Sequence, residues 1–130
     1  MNASEVADLF FRAIENSDLA ALRQIYHDDI QVWHNFSGVS QSKADNIGAL
    51  AAMGALRSIK YVVQERIVSG DRIAQRHHLC VETPAGKRFE LPVAIFVTVR
   101  DRKIVRIDEY FDSAQLNPLL TEMAAITAKR

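Results

Sequence analysis

Residues 104–112 read IVRIDEYFD. In a β-strand the side chains alternate between two faces, so Val105, Ile107, Glu109 and Phe111 share one face, and Ile104, Arg106, Asp108, Tyr110 and Asp112 share the other. Glu109 is then the single charge on an otherwise apolar face. An unpaired buried carboxylate is among the costliest groups a fold can carry. Proton transfer is a chemistry that gives a reason to keep one. Desolvation raises the pKa of such a group and a neighbouring cation lowers it, so its surroundings can tune it toward the working pH, where a general base is most effective. Arg76 and His78 share a face of residues 72–82, and Trp33 and Asn35 share a face of residues 30–36. Period alone does not say which face is inward. If these faces are concave, Arg76 sets the charge and geometry of Glu109, and His78 serves as acid or second base. Asn35 and the indole N–H of Trp33 then orient a water or a substrate oxygen, and Phe111 adds apolar wall beside Glu109.

A structural reading of the same residues stands beside this one. A carboxylate and an arginine on adjacent strands often form an ion pair with no chemistry attached. Trp33 also fits a core position, and His27, His34 and His77 are expected as surface or internally satisfied side chains. His77 and His78 are adjacent but face opposite ways on a strand, and no cysteine or carboxylate spacing completes a ligand set, so no metal is expected. Cys80 shares a face with His78, a pairing that suits a nucleophile, although a buried and unactivated thiol is the commoner occupant of such a position.

The elements that must hold these groups can be read from the pattern. Val6, Leu9, Phe10, Ala13 and Ile14 recur at helical spacing over residues 3–16, and Asp18 caps a second helix that carries Leu19, Leu22, Ile25 and Tyr26. Residues 30–36 alternate as a strand, SGVSQS reads as a loop, and residues 43–57 form an alanine-rich helix. IKYVVQERIV, RIAQRHHLCVE, KRFELPVAIFVTV and KIVRIDEYFD follow as strands, joined by SGD, TPAG and DRK, short links suited to antiparallel hairpins. Asn117 and Pro118 open a last helix with Leu119, Leu120, Met123 and Ile126. Helices followed by hairpins predict an α+β fold in which a curved, mixed, largely antiparallel sheet wraps around the N-terminal helices. The concave face of such a cone is a natural pocket.

Composition narrows the partners. The 130 residues carry sixteen basic and sixteen acidic side chains, a formal net charge of zero, with 48% hydrophobic residues. One domain over residues 1–130 is expected, without a basic face for nucleic acid or anionic membrane. The longest apolar run, LPVAIFVTV, is too short to span a bilayer. With Cys80 as its one cysteine the chain can form no internal disulfide, which agrees with a cytoplasmic location. There is no glycine-rich nucleotide loop and no nucleophile elbow, and no cofactor is expected.

The order of these elements and the words NSDLAALRQIYHDDI, RIAQRHHL and IDEYFD together resemble the nuclear-transport-factor-two-like superfamily of cone-shaped α+β domains. The resemblance is to its SnoaL-like polyketide cyclase and limonene epoxide hydrolase branches, with ketosteroid isomerase more distant. It runs from about residue 5 to residue 116 and implies a pocket whose general base falls on Glu109. Carried over from the epoxide hydrolase, the arginine falls on Arg76 and the asparagine on Asn35. His78 and Glu109 stand where that enzyme has aspartates, Trp33 stands where it has tyrosine, and the apolar pocket wall falls on Leu91 and Val93. The fold hosts isomerases, cyclases, dehydratases, hydrolases and non-catalytic binders alike. The function expected is therefore a cofactor-free acid–base enzyme acting on a small apolar oxygenated molecule, with a ligand-binding or dimerisation module as the alternative. By resemblance alone, a homodimer through the outer face of the sheet is expected.

Overall fold

The computed structural model describes residues 1–128. Helix α1 (Ala3–Glu15) starts at a capping box: Asn2 accepts from the Glu5 backbone N–H at 2.9 Å, and the Glu5 carboxylate accepts from the Asn2 N–H at 3.2 Å. Its buried face carries Val6, Phe10 and Ile14, one helical turn apart. Helix α2 (Leu19–Ile25) is capped by Asp18, which accepts from the Ala21 N–H. Strands β1 (Tyr26–His34) and β2 (Ser40–Gln41) follow, then helix α3 (Lys43–Ala52), capped by Ser42, and a short 3₁₀ turn (Met53–Ala55). Strands β3 (Ser58–Ser69), β4 (Arg72–Glu82), β5 (Arg88–Arg100) and β6 (Lys103–Phe111) then run to helix α4 (Ser113–Ala128).

The six strands form one sheet in the order β2-β1-β6-β5-β4-β3, with β1 parallel to β6 and every other pair antiparallel. This is the α+β architecture the pattern predicts. The hairpins follow from their links: Gly70 at φ 56° turns β3 into β4, and Asp101 and Arg102, both at positive φ, turn β5 into β6. The parallel pairing of β1 with β6 matters most for the site, because its register sets His34 opposite Glu109. No helix among the described residues is long and apolar enough to cross a membrane.

The core lies between the helices and the inner face of the sheet, where Val32, Ile73, Leu79, Val81, Leu91, Val93, Ile95, Val97 and Ile107 are all buried. A polar chain crosses it from α1. Arg66 donates to the Ser4 hydroxyl and the Asp8 carboxylate, and its Nε donates to Gln75 Oε1 at 2.7 Å. Gln75 Nε2 then lies 2.9 Å from His77 Nδ1. Because the Gln75 oxygen is engaged by arginine, its nitrogen is the donor, which places the His77 proton on Nε2. That buried N–H has no partner among the described residues, and Phe11 and Tyr61 meet the ring edge-on.

Several element boundaries differ from the sequence reading: Tyr26, expected in the second helix, opens β1, which runs Tyr26–His34 rather than 30–36, and α3 ends at Ala52 rather than reaching residue 57. Helix α4 begins at Ser113, with Pro118 inside it, because Asp112 caps it by accepting from the Ala114 N–H at 2.9 Å. The segment expected as a simple loop contains β2, which pairs Val32 with Gln41 and Trp33 with Ser40. Two residues carry too short a period to be recognised as a strand.

Candidate active site

Helices α1, α3 and α4 stand off the inner face of the sheet and leave a cavity of about 410 Å³. Its wall is mostly hydrocarbon: Phe10 and Ile14 from α1, Val32 from β1, Leu50 from α3, Ile107 and Phe111 from β6, and Leu116, Leu119 and Met123 from α4. Glu109 opens onto this wall. Its Oε1 lies 3.0 Å from Nε2 of His34, and the two side chains are only 15% and 14% exposed. Parallel pairing explains the contact, since the two residues are direct partners on neighbouring strands and point to the same side. Oε1 is the oxygen beside His34, and Oε2 has no hydrogen-bond partner among the described residues.

Two phenols share the wall. Tyr26 donates to Asn46 Oδ1 at 2.6 Å, and Asn46 Nδ2 donates to Gln41 Oε1 at 2.9 Å. Burial, and then the charge of Glu109, pushes the Tyr26 phenol far above its ordinary pKa. Tyr61 is raised for the same two reasons in the same order. Its hydroxyl has no hydrogen-bond partner among the described residues, while its backbone N–H donates to Glu15 Oε2 at 2.9 Å. Both phenols therefore remain hydrogen-bond donors near a carboxylate. His77 is held below its ordinary pKa, first by burial and against the pull of Glu109, and stays neutral.

The sequence-predicted site divides between the two faces of the sheet. Glu109 and Phe111 line the cavity. Leu91 and Val93 point inward as the resemblance implied, yet lie in the packed core, 3% and 4% exposed, and are not among the cavity-lining residues. Arg76 and His78 project from the outer face, which corrects the expectation that they surround Glu109. Arg76 Nε pairs with Glu65 at 3.0 Å and His78 Nδ1 with Glu90 at 2.6 Å, all on the outer side. Trp33 is also outside, edge-on to Tyr110 with ring centroids 5.3 Å apart. Asn35 extends the β1–β6 ladder beyond its last pair: its Nδ2 donates to the Phe111 carbonyl at 3.0 Å and its Oδ1 accepts from the Phe111 N–H at 2.8 Å. Both ends of that amide are spent on backbone. Cys80 lies on the same outer face as His78, with its thiol raised by burial and then by Glu90, which disfavours the thiolate a nucleophile needs.

The residue that does meet Glu109 is His34, and Tyr26, Gln41, Asn46 and Tyr61 share the cavity wall with it. For His34 a signal was available, since Ile30 and Val32 precede it at two-residue spacing and fix its face as the buried one.

A six-stranded mixed sheet packed with helices around an apolar cavity is the nuclear-transport-factor-two-like α+β fold. The chain belongs to the SnoaL-like domain family, whose model matches residues 7–107. Its structure is similar to IdmH of Streptomyces antibioticus, provisionally assigned as a polyketide cyclase, at 19% identity and TM-score 0.80, covering 93% of this chain and 99% of that one. It is similar to an epoxide hydrolase of M. tuberculosis, of the limonene epoxide hydrolase type, at 18% identity and TM-score 0.76, covering 98% and 96%. A protein with a ketosteroid isomerase-like fold from Catenulispora acidiphila, in complex with trimethylamine, matches at 14% identity and TM-score 0.74, covering 85% and 88%. At these identities the likeness is one of fold. No curated protein sequence matches the chain.

Proposed function

We propose that the protein is a cofactor-free acid–base enzyme that moves a proton on a small, largely apolar, oxygenated molecule, with Glu109 as the general base. The observation that carries this reading is the Glu109–His34 pair, 3.0 Å apart on the wall of an apolar cavity. In this role His34, beside Oε1, steadies the carboxylate, and Oε2 is the oxygen that takes the proton. Glu109 takes a proton from a carbon beside a carbonyl, the C–H electron pair becomes a carbon–carbon double bond, and the carbonyl oxygen takes up the negative charge. Tyr61, a protonated phenol with an unspent O–H, is the donor available to that oxygen. The proton then returns to carbon at the same or another position, which gives exchange, isomerisation or ring closure according to the substrate.

A pocket that holds such molecules without turning them over is the second reading, supported by the extent of apolar wall alone. The two are separated by proton exchange in D₂O. With a bicyclic ketone such as tetralone, the protein is expected to speed deuterium uptake beside the carbonyl, and Glu109→Gln is expected to bind the ketone without doing so. Equal exchange in both proteins rejects Glu109 as the base.

The working unit in this proposal is a homodimer of single-domain chains in the cytoplasm. The support is an apolar strip on the outer face of the sheet, where Phe96, Tyr110 and Ile67 are 46%, 43% and 59% exposed and Tyr110 packs edge-on against both Trp33 and Phe96.

A further inference from the structure

We propose that Gln41 selects the substrate: its side-chain NH₂ is an oriented donor for a second oxygen, an ether or carbonyl acceptor, at the end of the cavity away from Glu109. In calling the ligand a substrate, this inference rests on the acid–base role of Glu109.

The orientation of the amide follows from the chain of contacts behind it. Tyr26 is 1% exposed and keeps its phenolic proton, and a buried O–H left without an acceptor is costly. Its hydrogen-bond partner among the described residues is Asn46, itself 4% exposed, so the phenol donates and Asn46 Oδ1 accepts at 2.6 Å. Asn46 must then offer its NH₂ to the next residue, and Gln41 Oε1 accepts it at 2.9 Å. With its oxygen engaged, Gln41 is left with its nitrogen, which has no partner among the described residues, on the cavity wall. Three side chains from β1, α3 and β2 thus fix the polarity of a fourth group, the ligand.

Strand register places this donor away from the base. Gln41 pairs with Val32, and His34, two residues further along β1, pairs with Glu109. Two strand spacings and two residues of rise separate the Gln41 and Glu109 backbones by about 12 Å. A molecule with one oxygen cannot serve both ends. The class that fits is a compact, ring-containing ketone with a second, acceptor-type oxygen across its skeleton from the reacting carbonyl.

The test uses two bicyclic ketones of matched shape, tetralones bearing methoxy or ethyl across the ring system from the carbonyl, with binding to the full chain measured by calorimetry. Wild type is expected to bind the methoxy compound roughly threefold to tenfold more tightly, as one added hydrogen bond allows. Gln41→Leu is expected to erase the preference and Gln41→Glu to reverse it. Tyr26→Phe, which frees Asn46 to turn, is expected to weaken it, and Glu109→Gln to keep it. Equal binding of the two ketones by wild type, with exchange intact, overturns the role of Gln41 and leaves the base assignment standing. A preference that Gln41→Leu removes, in a protein that exchanges neither ketone, overturns the base assignment and supports the anchor.

Discussion

Replacing His34 with leucine tests whether the fold carries Glu109 at a cost. The pair sits at 3.0 Å with both side chains about one-seventh exposed. Removing one partner of a fully buried pair costs about 3–5 kcal/mol, because the other charge is left without compensation. Here the cavity lets water reach the carboxylate, so about 1–3 kcal/mol is expected. In a chain of this length that corresponds to a fall in Tm of roughly 4–10 °C. Glu109→Leu removes the charge itself and adds hydrocarbon to a hydrocarbon wall, and is expected to leave stability unchanged or raise it, as is the double variant. Urea titration and calorimetry of wild type, the two single variants and the double variant at neutral pH give the complete cycle. The order expected is Glu109→Leu and the double variant at or above wild type, with His34→Leu clearly below. A His34→Leu protein as stable as wild type would show that Glu109 needs no partner and that the pair costs the fold nothing.

Gln75→Leu is expected to lower stability by about 2–4 kcal/mol in denaturant titration, because it strands both Arg66 Nε and His77 Nδ1; a loss below about 0.5 kcal/mol contradicts the linked chain. His77 titrates lower in the folded state than in the unfolded one. Its contribution is therefore fully present above about pH 6.5 and is lost as pH falls from there through the lowered folded value, at up to about 1.4 kcal/mol per pH unit. Thermal melts between pH 7.5 and about 5 should show a steeper decline for wild type than for His77→Phe, and parallel curves would contradict this. Phe96→Glu, placed in the exposed outer strip, is expected to convert a dimer of 14.6 kDa chains to monomers by light scattering with the Tm of the fold retained; a wild type that is already monomeric removes the dimer.

Fold was legible because the repeating patterns were long. The stripe Val6, Phe10, Ile14 and the alternating runs of β3 to β6 each extend over several periods, and hairpin links as short as SGD and DRK leave antiparallel pairing as the economical connection. The parallel contact of β1 with β6 was not legible, because it joins segments some seventy residues apart and no local signal encodes it. The inward or outward placement of side chains was legible where a face was unambiguous and misread where it was mixed. Glu109 and Phe111 follow Ile107 and point inward with it. On β4 the inner face mixes Ile73, Leu79 and Val81 with Gln75 and His77, while the outer face carries the small Ala74 and Cys80 beside Arg76 and His78. Charge drew attention to Arg76 and His78; the bulk of Ile73, Leu79 and Val81 was the better guide to which side is buried. Trp33 drew attention by its size in the same way, although Ile30 and Val32 placed His34, not Trp33, on the inner side.

Deuterium uptake beside the carbonyl of a bound bicyclic ketone, followed by NMR in D₂O for wild type and Glu109→Gln at matched saturation, decides whether Glu109 is the base. Exchange well above the buffer rate in wild type, falling by about a hundredfold or more in the variant while binding persists, is the result expected of a lost general base. Bound ketone whose exchange is the same in both proteins contradicts it.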